Sequence, residues 1–231
     1  MPSATASLPS LEDLRPRSTT DHVFEALYDR VVNLTLPPGS RLSEAEVASQ
    51  MGVSRQPVRD AFYRLSQLGF VQIRPQRATT VTPISEEAVM QAHFIRSSLE
   101  EACMRVAATR LTKDQLVTLD QLIARQEAAA SAGLRDEFHA LDDEFHRQIC
   151  EFSGLGFVWT LVKDNKGHMD RARYLSLSYN AGHAIAEHRQ IIAALHQHDP
   201  EAAAAAIRQH LIRIQDILAR IRTEQPEVFA P

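Results

Sequence analysis

The feature that most constrains this chain is a long helical pattern of apolar residues after Pro83. From residue 84 onward, apolar side chains recur at the three- and four-residue spacing of amphipathic helices. The pattern is interrupted at Thr112, at Gly133, at residues 154–156, near residues 181–182 and at residues 199–200. These breaks predict a C-terminal all-α bundle of six helices, each about 15–25 residues long.

Before Pro83 the pattern changes to short helices. Residues 1–16 are rich in Ser, Ala and Pro, which predicts a flexible tail. An amphipathic helix is predicted from Thr19. Ser43 and Glu46, three residues apart, form a capping-box pattern that predicts the start of a second, shorter helix.

A turn, a third helix and a hairpin follow. Gly52 can adopt the left-handed conformation that ends a helix, and Ser54 is predicted to cap the next helix, which ends at Gly69. Two β-prone runs, residues 70–73 and 79–82, then predict a hairpin. Two helices joined by a tight turn and followed by a hairpin indicate a winged helix-turn-helix.

The predicted fold class is therefore mainly α, with two domains. We predict a tail over residues 1–16, a winged helix-turn-helix domain over residues 17–83 and an all-α domain over residues 84–231. The length suits this division, because domains usually contain about 100–200 residues or fewer.

Charge divides the chain at the same boundary. The 231 residues carry a net charge of −4, but residues 41–83 hold six Arg against three acids, which gives +3. Residues 84–231 hold 16 basic and 21 acidic residues, which gives −5, and nine of the ten histidines. A basic module joined to an acidic, His-rich one predicts two separate functions, with nucleic-acid binding assigned to the first.

Composition excludes several other classes of protein. A hydrophobic content of 44% and a charged content of 23% are those of a globular chain rather than a disordered one. No stretch reaches the roughly 18 consecutive apolar residues of a membrane span, and the first ten residues lack the basic start of a signal peptide. Cys103 and Cys150 are too few for a disulfide scaffold. We expect a cytoplasmic protein without membrane association.

The predicted third helix begins with side chains suited to DNA. Arg55 and Arg59 are four residues apart and share one face in the first turns, where a recognition helix meets base edges and phosphates. Arg suits bidentate contact with guanine, and Gln56 can pair with adenine or a phosphate. Arg74 and Arg77 of the hairpin can reach the backbone or minor groove. Two helical arginines alone usually form a solvated face, but these follow a turn glycine in a basic segment.

Two stretches of this domain resemble the GntR family of bacterial transcription regulators. They are residues 36–44 (LPPGSRLSE) and 52–61 (GVSRQPVRDA). The resemblance implies operator contacts from Ser54, Arg55, Gln56 and Arg59. The complete predicted DNA-binding set is Arg41, Ser54, Arg55, Gln56, Arg59 and Arg77. The wing of these proteins usually turns on a glycine, whereas Ala78 stands at that place here.

Four residues of the C-terminal part are candidate metal ligands. Asp142 and His146 are four residues apart on a predicted helix, so both project from one face at a distance that allows chelation. His188 and His210 each continue the apolar stripe of a predicted helix. A histidine on an apolar face is more often a core residue than a ligand. Three of them with a carboxylate, all facing inward, require polar partners.

The same part of the chain resembles the FCD effector domain of the FadR-type branch of the GntR family. The resemblance covers residues 85–222 and includes Arg96 to Glu100 and the four candidate ligands. It implies that Asp142, His146, His188 and His210 bind one divalent metal. One carboxylate and three imidazoles suit Zn²⁺, Ni²⁺ or a similar ion.

The resemblance also implies a small carboxylate effector. Such an anion can complete the coordination of the metal while an arginine binds its far end. Arg96 is the first candidate, because its helix is otherwise apolar around it, and Arg171 and Arg173 come next. The segment around Arg171 is similar to that of regulators for sugar acids. Each arginine is equally compatible with an exposed salt bridge.

These features predict a ligand-responsive transcription regulator. We expect a homodimeric repressor that places two recognition helices on a pseudo-palindromic operator. The chain is not expected to be an enzyme. Two alternatives remain open: a hydrolase whose metal activates water, and a regulator for which the metal itself is the signal.

Overall fold

The computed structural model describes residues 18–74 and 78–229, and it leaves out the side chains of residues 177–179. The chain divides into two compact units. The first contains the described residues up to Asp29 and Arg41–Thr80, and the second contains Arg30–Ser40 and the residues from Val81 onward.

The first unit contains short helices and a small sheet, as a winged helix-turn-helix requires. Its elements are α1 (Thr19–Val32, which ends in the second unit), β1 (Arg41–Leu42), α2 (Glu44–Met51), α3 (Arg55–Gln67), β2 (Val71–Gln72) and β3 (Thr79–Val81). The strands form one sheet in the order β1-β3-β2, and β1 pairs antiparallel with β3. The predicted helix-turn-helix and hairpin are both confirmed.

Local sequence signals explain the turn between α2 and α3. The Ser43 hydroxyl accepts a hydrogen bond from the N–H of Glu46 at 3.5 Å, which confirms the predicted cap. Gly52 ends α2 with φ of 65°, a conformation that costs glycine little because it has no Cβ. Ser54 stands at the N-cap of α3, but its hydroxyl makes no capping hydrogen bond. That hydroxyl therefore has no structural role in starting the helix.

The second unit is helical. Its described helices are α4 (Glu86–Arg110), α5 (Lys113–Ser131), α6 (Arg135–Phe152), α7 (Gly156–Asn165), α8 (Gly167–His196), α9 (Pro200–Ile212) and α10 (Ile214–Glu224), followed by a short 3₁₀ turn, Pro226–Val228. The predicted all-α bundle is confirmed. Among the described residues, no helix has the length and apolar character that a membrane span requires.

The division into six helices was wrong in detail, because seven helices are present between residues 86 and 224. The break predicted near residues 181–182 is absent, and α8 runs through it. Isolated glycine inside a helix costs only about 1 kcal/mol, which the packing of buried neighbours such as Ala184 and Ile185 can offset. Two unpredicted breaks occur instead, at Lys166 and at Arg213.

The core of the bundle lies among α4, α5, α6, α8, α9 and α10. It is built from fully buried aliphatic and aromatic side chains, among them Leu119, Phe145, Ile149, Ile191 and Ile207. One group of buried polar side chains interrupts this core. Arg96, Asp142, His146 and His188 are each no more than 1% exposed. Buried charges of this kind require partners or a ligand, which makes this place the candidate site.

Candidate metal centre and DNA-binding helix

The four predicted metal ligands lie together inside the bundle. Asp142 and His146 are one turn apart on α6, His188 is on α8 and His210 is on α9. One ligand atom from each lies within 4.8 Å of those from the other three. Nε2 of His188 is 3.6 Å from Oδ1 of Asp142, and Nε2 of His146 is 3.9 Å from Oδ2 of the same residue. The structure therefore brings together residues up to 68 positions apart in sequence.

A hydrogen-bond acceptor orients each of the three imidazoles. Nδ1 of His146 is 2.6 Å from a carboxylate oxygen of Glu100, and Nδ1 of His210 is 3.0 Å from one of Glu187. Because ionised carboxylates only accept, both Nδ1 atoms must donate. The Nε2 atom of each neutral ring is then an acceptor.

The third imidazole is held by an amide. Nδ1 of His188 is 2.8 Å from Oε1 of Gln126. The Gln126 amide nitrogen donates to the backbone carbonyl of Leu141 at 3.0 Å, which turns its oxygen toward His188. Metal-bound histidines are usually oriented by such a partner on the second ring nitrogen. Sequence reasoning missed Glu100, Gln126 and Glu187 as supports, because each lies on a different helix from the histidine that it holds.

Three buried polar atoms of the cluster have no hydrogen-bond partner among the described residues. They are Nε2 of His146, Nε2 of His188 and Oδ1 of Asp142. Each unsatisfied buried polar atom lowers stability by about 1–3 kcal/mol. Because the three atoms lie close together, one shared partner could satisfy them all. Two metal–ligand bonds of about 2.1 Å can span separations near 4 Å, as found here. The residues therefore fit a divalent ion with N and O ligands.

The protonation states also suit metal binding. Burial lowers the pKa of His188 well below its usual value, and it lowers that of His210 as well, so both imidazoles are neutral at neutral pH. Burial alone would raise the pKa of Asp142, but the positive groups around it, Arg173 first among them, together outweigh burial and hold this pKa well below its usual range. Metal binding requires neutral imidazole and ionised carboxylate, and the cluster holds both.

Arg96 and Arg173 face the cluster, and Arg171 does not. Nε of Arg96 donates to Glu100 at 2.5 Å, and its two terminal nitrogens have no partner among the described residues. Arg173 donates to Asp142 and lines a cavity together with Asp142 and His210. This cavity also has apolar walls, formed by residues such as Phe138, Met169 and Ile217.

Arg171, predicted to bind the effector, is directed elsewhere. Its guanidinium donates to the backbone carbonyl of Thr82 at 2.6 Å and to that of Pro83 at 3.4 Å. It is fully buried, and burial lowers its pKa to about 10. Residues two positions apart on a helix point in directions that differ by about 200°, which explains why Arg171 and Arg173 have different surroundings.

A second group of possible ligands lies beside the first. It contains His139, Asp143 and Asp170. Lys166 contacts both carboxylates, at 2.8 Å from Asp143, and Arg173 donates to Asp170 at 3.1 Å. Because two cations already neutralise these acids, we interpret the group as an ion-pair network that supports Arg173.

The start of α3 presents its polar side chains to solvent. Arg55, Gln56 and Arg59 are exposed, and so is Arg41 on β1. The Gln56 amide donates to Asp60 at 2.8 Å. Arg74 is also exposed, whereas Arg77 and the turn of the predicted wing lie outside the described residues.

Family models match both parts of the chain. The model for bacterial regulatory proteins of the gntR family matches residues 19–81, and the model for the FCD domain matches residues 91–213. This chain belongs to the gntR family. The chain is 35% identical over 210 residues to the HTH-type transcriptional repressor RspR of Escherichia coli K12, covering 90% of this chain and 92% of that protein.

Further relatives agree with this membership. An uncharacterized HTH-type transcriptional regulator of Streptomyces ambofaciens is 37% identical over 220 residues, which covers 93% of this chain and 91% of the relative. The structure of E. coli McbR/YncC superposes with a TM-score of 0.74 at 22% identity, covering 89% of this chain and 99% of that one, and supports the fold. This gntR-family chain is therefore a DNA-binding transcription regulator with an FCD domain.

Proposed function

We propose that this regulator is a homodimeric repressor whose bundle binds one divalent metal ion and a small carboxylate effector. The observation that carries the proposal is the orientation of the imidazoles. Each Nδ1 is bound to a fixed acceptor, while the Nε2 atoms of His146 and His188 are buried without a partner beside Oδ1 of Asp142. An ion bound by these atoms would supply the partner that each of them lacks.

The metal would be held by Asp142, His146, His188 and His210. A borderline ion such as Zn²⁺ or Ni²⁺ suits this donor set. When bound, it would act as a Lewis acid that attracts an oxygen of the effector. Around it, Glu100, Gln126 and Glu187 keep the imidazoles in the tautomer that binding requires.

The effector would be a small carboxylate, such as a sugar acid. Arg96 supports this choice because its buried guanidinium presents two unpartnered nitrogens, which is the fork that a carboxylate accepts. Arg173 adds a second cation at the cavity wall. Arg173 takes the place of Arg171 beside Arg96 in this proposal, because both terminal nitrogens of Arg171 donate to backbone carbonyls.

Operator binding is assigned to the exposed start of α3. Arg55 and Arg59 would read bases or bind phosphates, with help from Ser54 and Gln56, whereas Arg41 and the wing residue Arg77 would bind the backbone. The Ser54 hydroxyl, which makes no capping hydrogen bond, supports this assignment. Changing Arg55 and Arg59 to Ala together should abolish operator binding while metal content and folding persist. Unchanged binding would contradict the assignment.

A dimer would present two such helices to a pseudo-palindromic operator. Large apolar side chains are exposed on two helices that pack against each other, Phe94 on α4 and Phe157 with Leu161 on α7. Exposed apolar surface often marks a protein–protein interface, so we propose these two helices as the dimer surface. A cytoplasmic location follows from the proposed action on chromosomal DNA.

The proposed regulation can be tested with the full-length protein and a duplex that it selects from a random library. DNA affinity should be high with metal bound and should fall when a carboxylate from a sugar-acid panel is added. If adding or removing Zn²⁺ or Ni²⁺ alone switches DNA affinity, the metal is the signal. If neither metal nor any carboxylate changes DNA affinity, the proposed regulation is wrong.

A further inference from the structure

An acidic residue of α2 holds one of the arginines of the recognition helix. Nε and Nη2 of Arg59 donate to the two carboxylate oxygens of Glu44, at 3.2 Å and 3.0 Å. Two parallel N–H to O bonds between a planar guanidinium and a carboxylate define both distance and orientation. The pair joins residues that are 15 positions apart and on different helices.

The pair leaves part of the arginine available. Glu44 occupies the edge of the guanidinium formed by Nε and Nη2, and the Arg59 side chain is still 60% exposed. Nη1 and the second hydrogen of Nη2 form the end of the guanidinium, which can also make a two-pronged contact. Arg59 can therefore bind Glu44 and a base edge at the same time.

The carboxylate is itself held firmly. Glu44 lies in the first turn of α2, whose start is capped by Ser43 and whose end is defined by Gly52. The hydrogen bonds from Arg59 lower the pKa of Glu44, and the charge of Arg55 adds to this effect. The residue is therefore ionised at neutral pH, on a helix that packs against α3.

An ionised carboxylate at this place is unfavourable for general DNA binding. Most non-specific affinity comes from the attraction between cations and phosphates, so a negative charge beside Arg55 and Arg59 weakens it. A residue that weakens non-specific binding and also orients a base-reading arginine increases the ratio of the affinity for specific DNA to the affinity for non-specific DNA. We propose that Glu44 is a positioning residue that sets the base preference of Arg59.

The proposal is tested with Glu44→Gln in the full-length protein. Gln keeps the size of the side chain but removes the charge and one of the two acceptors. The matched control is Glu46→Gln, which makes the same charge change at an exposed position of the same helix and keeps the capping-box pattern. Circular dichroism and thermal melting check that both variants fold.

The probes are a duplex selected by the wild-type protein from a random library and a random-sequence duplex of equal length. Both variants should bind random duplex more tightly than the wild type, because each removes a negative charge. Glu46→Gln should raise the affinities for the selected duplex and for the random duplex by the same factor. Glu44→Gln should lower the ratio of specific to non-specific affinity by about tenfold, the value of one lost bidentate base contact. Selection with this variant should lose preference at one base pair in each half-site.

A double-mutant cycle separates positioning from a general effect of charge. In an Arg59→Ala background, Glu44→Gln should leave the specificity ratio unchanged, because no arginine remains to be oriented. The proposal is overturned if Glu44→Gln behaves as Glu46→Gln does, or if it lowers the ratio equally without Arg59. Failure of the wild-type protein to select any consensus would instead contradict operator binding itself.

Discussion

The carboxylate of Glu100 lies 2.6 Å from Nδ1 of His146, and it also accepts a 2.5 Å hydrogen bond from Nε of Arg96. Burial alone would raise the pKa of Glu100, but the charge of Arg96 and the hydrogen bonds from His146 and Arg96 together outweigh burial and hold the pKa below its usual range. One buried acid thus joins the proposed effector-binding arginine to a proposed metal ligand. The same carboxylate therefore contacts both halves of the site.

Glu100→Gln should weaken metal binding, since the amide lacks the charge that increases the basicity of His146. Loss of such a supporting residue typically reduces metal affinity by about 10–100-fold. Competition titration against a chromophoric chelator measures the change for Zn²⁺. Glu101→Gln is the control on the same helix, because Glu101 pairs with Arg208 away from the cluster. Equal affinities for the two variants would contradict the role of Glu100.

Arg96→Met should remove the effector response while leaving metal content unchanged. Met has a similar length but no guanidinium, so it cannot form the fork that a carboxylate accepts. Thermal-shift assays with gluconate, galactarate and other small hydroxy acids should stabilise the wild type by several degrees and the variant far less. The control is Arg105→Met on the same helix as Arg96. Arg105 forms a solvent-exposed ion pair with Glu201, so this variant should respond to the effector as the wild type does. A thermal shift in Arg96→Met equal to that of the wild type would show that the effector does not bind at Arg96.

The metal-free protein should become less stable as pH falls from 7 to 5.5. His188 and His210 have pKa values that burial lowers in the folded state, whereas in the unfolded chain they titrate near 6.5. The unfolded state therefore binds more protons in this range, and the free energy of unfolding decreases as pH falls. One such group contributes at most about 1.4 kcal/mol per pH unit.

This dependence is measured by urea unfolding after metal removal. His188→Gln should flatten the slope of unfolding free energy against pH. The variant lacks the imidazole that the unfolded chain protonates and the folded protein does not. His183→Gln, at an exposed position of the same helix, should keep the wild-type slope. A slope in His188→Gln as steep as that of the wild type would show that His188 is not a buried neutral imidazole.

Arg171→Lys should loosen the connection between β3 and α4. The guanidinium donates to two successive carbonyls, those of Thr82 and Pro83, and a single ammonium lacks the fork to reproduce this geometry. Amide hydrogen exchange at Ile84 and its neighbours should become faster, with metal content unchanged. Arg189→Lys, at an exposed position of α8, should not alter this exchange. Wild-type protection in Arg171→Lys would contradict the structural role of the contact.

The inward position of the four candidate ligands could be predicted from sequence because they follow helical periodicity. Asp142 and His146 share a face of α6 by their spacing alone, and His188 and His210 each continue an apolar stripe. The supporting residues could not be predicted in this way. Glu100 and Gln126 reach their histidines across helix contacts, and tertiary packing decides these.

Other differences also have a physical origin. The choice between Arg171 and Arg173 depends on how α8 is rotated, which flanking residues of mixed polarity do not reveal. Gly182 is compatible with either a helix end or a helix interior, and α8 continues through it because the residues that follow, Ala184 and Ile185, are buried in the bundle. The capping residue Ser43 behaves as predicted, because its hydrogen bond involves only neighbouring backbone.

The metal content of the full-length protein tests the proposed metal centre directly. It is measured by inductively coupled plasma mass spectrometry on protein produced in zinc- and nickel-supplemented medium and purified by gel filtration. We expect about one divalent ion per chain. His188→Ala should lose that ion but keep its helical circular dichroism. Wild-type protein purified without stoichiometric metal, or a His188→Ala variant that retains the ion, would contradict the proposed metal centre.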